Sequence, residues 1–73
     1  MKICKNKKTG HVFICLDEID NAKVLMITPN GDVKMLEHGL FTEPLEVDDG
    51  GMLLTQGQIN SKQYNIYNQY HQK

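Results

Sequence analysis

Two apolar segments separated by an Asn-Gly pair form the strongest pattern in the chain. Residues 23–36 are rich in aliphatic and β-branched side chains on either side of Asn30 and Gly31. An Asn-Gly pair readily takes the positive φ angles of a two-residue hairpin turn. If these two residues form the whole loop, Thr28 faces Val33 across the hairpin. The pattern therefore predicts antiparallel β structure in the middle of the molecule.

Further apolar runs, separated by turn-forming residues, predict the rest of a sheet. A turn at residues 7–10 joins the first two strands, and a bend or single helical turn at residues 37–41 precedes the last one. Pro44 restricts that last strand to a sheet edge or to a strand start. The expected strands are residues 2–6, residues 11–16, the two arms of the hairpin and a short strand at residues 43–47.

The central strands carry apolar side chains on both faces. In the second strand one face carries Val12, Ile14 and Leu16, and the other face carries Phe13 and Cys15. A sheet with one face in water would instead alternate apolar with polar residues. Something must therefore cover the second face, and the C-terminal helix and a second subunit are the two candidates.

The C-terminal part of the chain predicts a helical segment over residues 52–72. Asn60 followed by Gln63 has the spacing of a capping box, and Ile59 and Tyr64 are placed as its hydrophobic staple. Because two independent features agree, the helix is expected to begin at Asn60. The apolar face of this helix is largely aromatic and consists of Tyr64, Ile66, Tyr67, Tyr70 and His71.

Size and composition indicate a single small globular domain over residues 1–73. The chain is 40% hydrophobic and 23% charged, which is ordinary for a folded protein. A domain of this size buries roughly 60% of the surface of its unfolded chain, so a partner subunit would stabilise it. No apolar stretch approaches the ~20 residues of a membrane span, and the basic start leads into no apolar signal core. We therefore expect no membrane partner and a cytoplasmic location.

Lysine accounts for all eight basic residues, in a chain of net charge −1. The absence of Arg, whose planar fork grips phosphates and guanine edges, argues against sequence-specific DNA readout. Lys5, Lys7 and Lys8 could still contact nucleic-acid phosphates, although a solvated turn is the favoured interpretation. An acidic set could imitate a nucleic-acid backbone, although it more often forms a solubilising surface. Its members are Glu37, Glu43, Glu46, Asp48 and Asp49.

Few residues point to catalysis or to a metal. Cys4, Cys15 and Ser61 are possible nucleophiles, but none lies in an activating motif, and the chain has no glycine-rich phosphate loop. The spacing of the cysteines relative to His11 and His38 matches no recognised zinc motif. We therefore predict no enzymatic activity, no metal and no cofactor.

The two cysteines nevertheless come close in the predicted sheet. If Thr9 and Gly10 form a two-residue loop, Cys4 lies directly opposite Cys15. Cytoplasmic conditions would normally keep such a pair reduced, and the sequence leaves open whether the pair forms a disulfide.

The order of strands, loop, Asn-Gly hairpin, bend and short last strand over residues 2–47 resembles a small SH3-like barrel of the Tudor or KOW kind. The resemblance implies a strongly curved five-stranded antiparallel sheet. Aromatic-cage members of that group bind methylated Lys or Arg with clustered aromatic side chains. This region offers only Phe13 and Phe41, so caged-cation recognition is not expected.

A second resemblance covers residues 53–67. The segment carries Leu53-Leu54 and then Gly57-Gln58-Ile59-Asn60-Ser61-Lys62-Gln63-Tyr64. It is similar to the short C-terminal domains known as SHOCT, with Asn60 in place of the usual Thr cap and Lys62 and Gln63 in place of the usual acids. That family is associated with oligomerisation, so the resemblance implies self-association or docking and no chemistry.

Together these features predict an α+β, mainly β fold: a small antiparallel five-stranded SH3-like barrel or twisted sheet with a C-terminal helix. The first functional prediction is a non-enzymatic, self-associating protein-interaction module. Its contact surface is expected to include Leu53, Ile59, Tyr64, Tyr67 and Tyr70. One alternative is a small-barrel nucleic-acid binder that uses Lys5, Lys7 and Lys8. The other is an acidic inhibitor or nucleic-acid mimic of phage or mobile-element origin.

Overall fold

A computed structural model describes residues 1–47 and 59–71 of the 73-residue chain. In chain order the elements are β1 (Lys2–Lys5), β2 (Val12–Glu18), β3 (Lys23–Ile27), β4 (Val33–Glu37), a 3₁₀ helix (His38–Leu40), β5 (Leu45–Glu46) and α1 (Ser61–His71). The 3₁₀ helix occupies the predicted bend. The part of the predicted helical segment that spans residues 52–58 lies outside the described residues.

The five strands form one open antiparallel sheet in the order β4-β3-β2-β1-β5. The first four strands make a meander, and β5 returns to pair with the free side of β1. The helix α1 packs on one face of this sheet against β2 and β3. A mainly β fold with five antiparallel strands and a C-terminal helix is thus confirmed.

The hairpin between β1 and β2 has a longer loop than the sequence pattern suggested. Lys5 is opposite Val12, and the Asn6 amide donates a hydrogen bond to the His11 carbonyl at 2.9 Å. The Asn6 side-chain oxygen accepts bonds from the backbone N–H groups of Lys8 and Thr9. Because this side chain holds the backbone in a four-residue turn, the predicted two-residue loop at Thr9 and Gly10 is wrong.

The hairpin between β3 and β4 also differs in register by one residue. Ile27, rather than Thr28, is opposite Val33. The Thr28 amide donates to the Asp32 carbonyl at 2.8 Å, and the Gly31 amide donates to the Thr28 carbonyl at 2.9 Å. The predicted two-residue Asn-Gly loop is therefore wrong, and the loop is longer by one residue.

Pro29 explains the difference. Its fixed φ angle favours the second position of an ordinary type I turn. A three-residue loop then needs one left-handed residue at its end. Gly31 supplies it with a φ of +87°, whereas no non-glycine residue among those described, Asn30 included, has a positive φ. A one-residue shift moves every β4 side chain to the other face, so this turn decides which residues of β4 are exposed.

The face of the sheet under α1, here called the helix-side face, carries the larger apolar cluster. Ile3, Ile14 and Ile27 come from three neighbouring strands, and Ile59 packs on them from the segment that precedes α1. Tyr64, Ile66 and Tyr67 of α1 pack at the margin of this cluster. The prediction that the C-terminal helix covers one side of the sheet is confirmed.

The reverse face carries a second cluster formed by Cys4, Val24, Met26 and Phe41. The chain after β4 closes over this face, because the His38 amide donates to the Ala22 carbonyl and the Lys7 amide donates to the Leu40 carbonyl. Phe41 then stacks edge-on against Phe13, with ring centroids 4.9 Å apart. The sheet is therefore apolar on both sides, as the central strands indicated.

The predicted capping box at the start of α1 is confirmed. The Gln63 amide donates to the Asn60 side-chain oxygen at 2.9 Å, and the Asn60 amide donates to the Gln63 side-chain oxygen at 3.2 Å. The Gln63 side chain is also buried, at 1% exposure, and its amide nitrogen donates to the Val12 carbonyl at 2.9 Å. The same nitrogen lies 3.4 Å from the Ile27 carbonyl oxygen. This residue therefore caps the helix and joins it to β2 and β3.

Candidate functional site

Of the residues predicted to contact a partner, most of the described ones pack between the chain's own helix and its sheet. Leu53 is outside the described residues. Ile59 is buried in the helix-side cluster, and Tyr64 and Tyr67 are half-buried against the same cluster. Tyr70 is 39% exposed near the end of α1. The aromatic face of the helix therefore serves first to cover the sheet, and Tyr70 presents the most surface among the described members of the predicted set.

Strand β4 presents a different apolar surface. It is the end strand of the sheet, and β3 is its neighbour among the described strands. Val33 and Met35 on this strand are 45% and 53% exposed. An exposed end strand with apolar side chains offers both backbone hydrogen-bonding groups and apolar surface to another chain.

The hydrogen bonds that close the hairpin show which backbone groups of β4 point outward. Residues 22 and 38 form one hydrogen-bonded pair, and residues 28 and 32 form another. Because such pairs alternate along an antiparallel ladder, the even-numbered residues of β4 bond to β3. The N–H and C=O groups of Val33, Met35 and Glu37 therefore point away from the sheet.

The lysines of the alternative nucleic-acid prediction lie around the first hairpin loop. Lys5, Lys7 and Lys8 are all exposed. Lys5 also lines a shallow cleft of about 400 Å³, together with His11 and Asn60. The structure brings the three lysines to one end of the sheet, and among the described residues that line the cleft there is no Phe, Tyr or Trp side chain.

The two cysteines bring two free thiols into contact on the reverse face. Cys4 is opposite Phe13 and Cys15 is opposite Lys2, so the cysteines are diagonal neighbours on the reverse face. Their sulfur atoms are 3.3 Å apart, and both thiols are free. The prediction that Cys4 lies directly opposite Cys15 is wrong in register, because the longer loop shifts the strands. The side chains meet nonetheless across the diagonal.

The surroundings of the two thiols are unequal. A hydrogen bond from Cys4 and the charge of Lys2 lower the pKa of Cys15, although burial and Glu18 act in the opposite direction. The hydrogen bond to Cys15 and burial raise the pKa of Cys4. Cys15 lines a cavity of about 360 Å³, and Lys2 lies on the wall of the same cavity. The positive charge of Lys2 favours the thiolate of Cys15, and Cys15 is also the thiol that lines the cavity.

The described residues also bear on metal binding and on membrane insertion. In residues 1–47 and 59–71, no group of three or more His, Cys, Asp or Glu side chains is arranged to hold a metal ion. Within the same ranges, no helix combines the length and the apolar character that crossing a bilayer requires.

Comparison of the chain with protein-family models, with curated proteins and with solved structures gave no match. The surfaces just described are thus the basis for assigning a function.

Proposed function

We propose that this chain is a small non-enzymatic protein-interaction module that self-associates through strand β4. The observation that carries the proposal is the combination of an end strand with two exposed apolar side chains, Val33 and Met35. Adding a strand to that edge would satisfy the outward N–H and C=O groups and cover both side chains. A second copy is the proposed occupant, because a 73-residue domain gains stability from any additional burial.

The charges on β4 favour one antiparallel register between two copies. When Met35 pairs with the partner's Met35, all five residues of the strand are paired. Lys34 is then opposite the partner's Leu36, and Glu37 is opposite the partner's Val33. Sliding one strand by two residues in either direction would place Lys34 against Lys34 or Leu36 against Leu36, and a further slide of two residues would bring Glu37 against Glu37. Like charges directly opposite one another disfavour the registers centred on Lys34 and on Glu37. The register centred on Leu36 pairs only residues 35–37 of the strand with their counterparts, so the register centred on Met35 is preferred.

The oligomeric state of the full chain tests this proposal. We expect sedimentation velocity to show a concentration-dependent dimer and Met35→Lys to shift it to monomer, since two lysines would then face each other at the twofold axis. Leu45→Lys is the matched control, because Leu45 is 62% exposed on the opposite edge of the sheet. A wild-type chain that stays monomeric at millimolar concentration would overturn the proposal.

Engineered cysteines test the register itself. In a Cys4→Ala/Cys15→Ala background, Met35→Cys is expected to form a disulfide-linked dimer, because hydrogen-bonded strand partners have Cα atoms about 5.5 Å apart. Lys34→Cys places its two copies on a diagonal and is expected to cross-link less. Equal cross-linking at both positions, or preferential cross-linking at Lys34, would rule out the register centred on Met35.

The curvature of the sheet is a further part of the proposal. We suggest that the sheet curves into a small SH3-like barrel whose interior is the reverse-face cluster. The support is the strand order, together with the segment after β4 that bonds to Ala22 at one side of the sheet and to Lys7 at the other. The side chain of Phe41, which belongs to that segment, is buried in the reverse-face cluster.

Nucleic-acid binding is the second candidate, since Lys5, Lys7 and Lys8 share one exposed end of the sheet. It predicts binding to mixed-sequence DNA or RNA that weakens steeply with salt. The triple variant Lys5→Gln/Lys7→Gln/Lys8→Gln is expected to abolish that binding and leave the dimer intact. Binding to a nucleic-acid enzyme without binding to nucleic acid would instead favour the acidic-mimic alternative.

A further inference from the structure

The reverse face of the sheet holds two sulfur atoms that are close enough to react with each other. The Sγ atoms of Cys4 and Cys15 are 3.3 Å apart, whereas a disulfide bond is about 2.05 Å long. Closing the gap of about 1.3 Å requires no new pairing of β1 with β2, which are already hydrogen-bonded neighbours. Because diagonal neighbours in a sheet have Cα atoms about 7–8 Å apart, bond formation also draws the two strands slightly together at this point.

The two thiols differ in access. Cys4 is 3% exposed, whereas Cys15 is partly exposed and lines the cavity of about 360 Å³. Lys2 lies opposite Cys15 and places a positive charge beside it. An attacking thiol needs access and thiolate character, and a resolving thiol needs only to be near the attacking one. The geometry therefore makes Cys15 the attacking thiol and Cys4 the resolving thiol.

The strand is irregular at the same place. The pairing of β2 with β3 shifts register between Cys15 and Asp17, which leaves Leu16 as an extra residue in β2. Such bulges bend a strand and redirect the adjacent side chains. Here the bulge follows Cys15 directly, and both Leu16 and Asp17 contribute to the walls of the cavity.

We propose that Cys4 and Cys15 form a reversible dithiol–disulfide pair that exchanges with low-molecular-weight disulfides such as oxidised glutathione. The site is separate from the β4 edge, so this proposal does not rest on self-association.

The exchange balances in two steps. The Cys15 thiolate, formed by loss of its proton to solvent, attacks one sulfur of oxidised glutathione. A mixed disulfide forms, and one glutathione thiolate leaves and is protonated by solvent. Cys4 then loses its proton to solvent and attacks the Cys15 sulfur, which breaks the mixed disulfide and releases the second glutathione. The protein dithiol has lost two electrons, and one glutathione disulfide has become two thiols.

Mass spectrometry of the reduced full-length chain after incubation with oxidised glutathione tests the proposal. The wild type is expected to lose two hydrogen masses and to accumulate no adduct. Cys4→Ser is expected to stop at a single glutathione adduct on Cys15. Cys15→Ser is expected to react at least tenfold more slowly, because the remaining thiol is buried. If Cys4→Ser does not fold, as judged by circular dichroism, Cys4→Ala replaces it.

Three results would overturn the proposal. The wild type could keep both thiols through the whole range of glutathione redox ratios. It could form only disulfides between chains, seen as dimers on a non-reducing gel. Alternatively, Cys15→Ser could react as fast as Cys4→Ser, which would mean that the thiols react through unfolded chains and have no distinct roles.

Substitution of the charged residues around the cavity tests the role of Cys15 without changing either thiol, because the measured quantity is the pH dependence of exchange. The cavity wall includes Lys2, Asp17, Glu18 and Glu46, and the N-terminal amine is paired with Glu46 at 2.8 Å. Lys2→Gln is expected to shift the pH profile of exchange to higher pH, because it removes a charge that favours the Cys15 thiolate. Glu18→Gln is expected to shift the profile to lower pH. Unchanged profiles in both variants would contradict the assignment of Cys15 as the attacking thiol.

Discussion

The two faces of the sheet are built from the same three central strands but use different chemistry. The helix-side cluster is formed by four isoleucines and is sealed by a capped helix. The reverse-face cluster holds a methionine, a phenylalanine and a thiol, and a second thiol packs beside it. Aliphatic side chains contribute burial alone, whereas thiols also contribute reactivity. Both faces therefore stabilise the domain by burial, and the reverse face also holds the two thiols of the proposed exchange.

Removing the helix is expected to have the largest effect on the stability of the domain, because it uncovers the helix-side face. Ending the chain after Asp49 deletes Ile59 and α1, so Ile3, Ile14 and Ile27 become exposed. We expect an unfolded or insoluble product, because a small sheet without a cover cannot offset the entropy of folding. Circular dichroism and amide NMR spectra of the truncated and full-length chains provide the measurement. A folded, monomeric truncated chain would mean that the helix is an accessory to a self-sufficient sheet.

A neighbouring pair on β3 allows the two faces to be compared one residue at a time. Ile27 is fully buried on the helix-side face, and Met26 is equally buried on the reverse face. Each change to alanine is expected to lower the free energy of unfolding by roughly 2–5 kcal/mol, measured by urea denaturation. The local consequences should differ. Ile27→Ala is expected to speed amide exchange in α1, and Met26→Ala is expected to raise the reactivity of Cys4.

The result would be informative in either case. If both variants loosened the helix and the thiols to the same extent, the two clusters would behave as one cooperative core. If each variant perturbed only its own side, the thiol pair could change its redox state without disturbing the helix.

Gln63 is the polar link between the helix and the sheet, and its loss should have an intermediate effect. Gln63→Ala leaves the Val12 carbonyl and the Asn60 amide without their present partner, which we expect to cost about 2 kcal/mol. Asn65→Ala is the control, since Asn65 is exposed on the same helix and alanine is the better helix former. Urea denaturation of the two variants measures the difference. Equal stability of the two variants would show that the bonds of Gln63 contribute nothing net.

Much of this architecture was predictable because local rules and burial agree. Alternating apolar residues predicted the strands, and the Asn60–Gln63 spacing predicted the start of α1, because Asn60 directly precedes its first residue, Ser61. The apolar side chains on both faces of the central strands correctly predicted that another element covers the sheet. The burial of Gln63 was not predicted, because a capping glutamine is usually solvated and its contact with β2 depends on where the helix docks.

The register of both hairpins was missed for one physical reason. The sequence pattern located each turn, but the length of each loop depended on one residue that fixes the local backbone. In the first hairpin this residue is Asn6, through the hydrogen bonds of its side chain, and in the second it is Pro29, through its fixed φ angle. The consequences differed. In the first hairpin the cysteines still met on a diagonal. In the second, the shift determined which side of β4 is exposed, and with it the surface of the proposed dimer.

Two glycines with the same backbone conformation should show the smallest differences and can separate local strain from packing. Gly31 and Gly10 have φ angles of +87° and +76°. A Cβ at Gly10 would meet nothing within 4 Å, whereas a Cβ at Gly31 would lie 3.2 Å from the Cβ of Lys62 on α1. Gly10→Ala is therefore expected to cost about 1 kcal/mol from strain alone. Gly31→Ala should cost more, because the helix must also move. Gly39→Ala, which has neither strain nor a close neighbour, serves as the control in the same urea titration. If Gly31→Ala and Gly10→Ala had equal effects, the loop and the helix would separate without penalty, and the helix-side face would depend on its isoleucines alone.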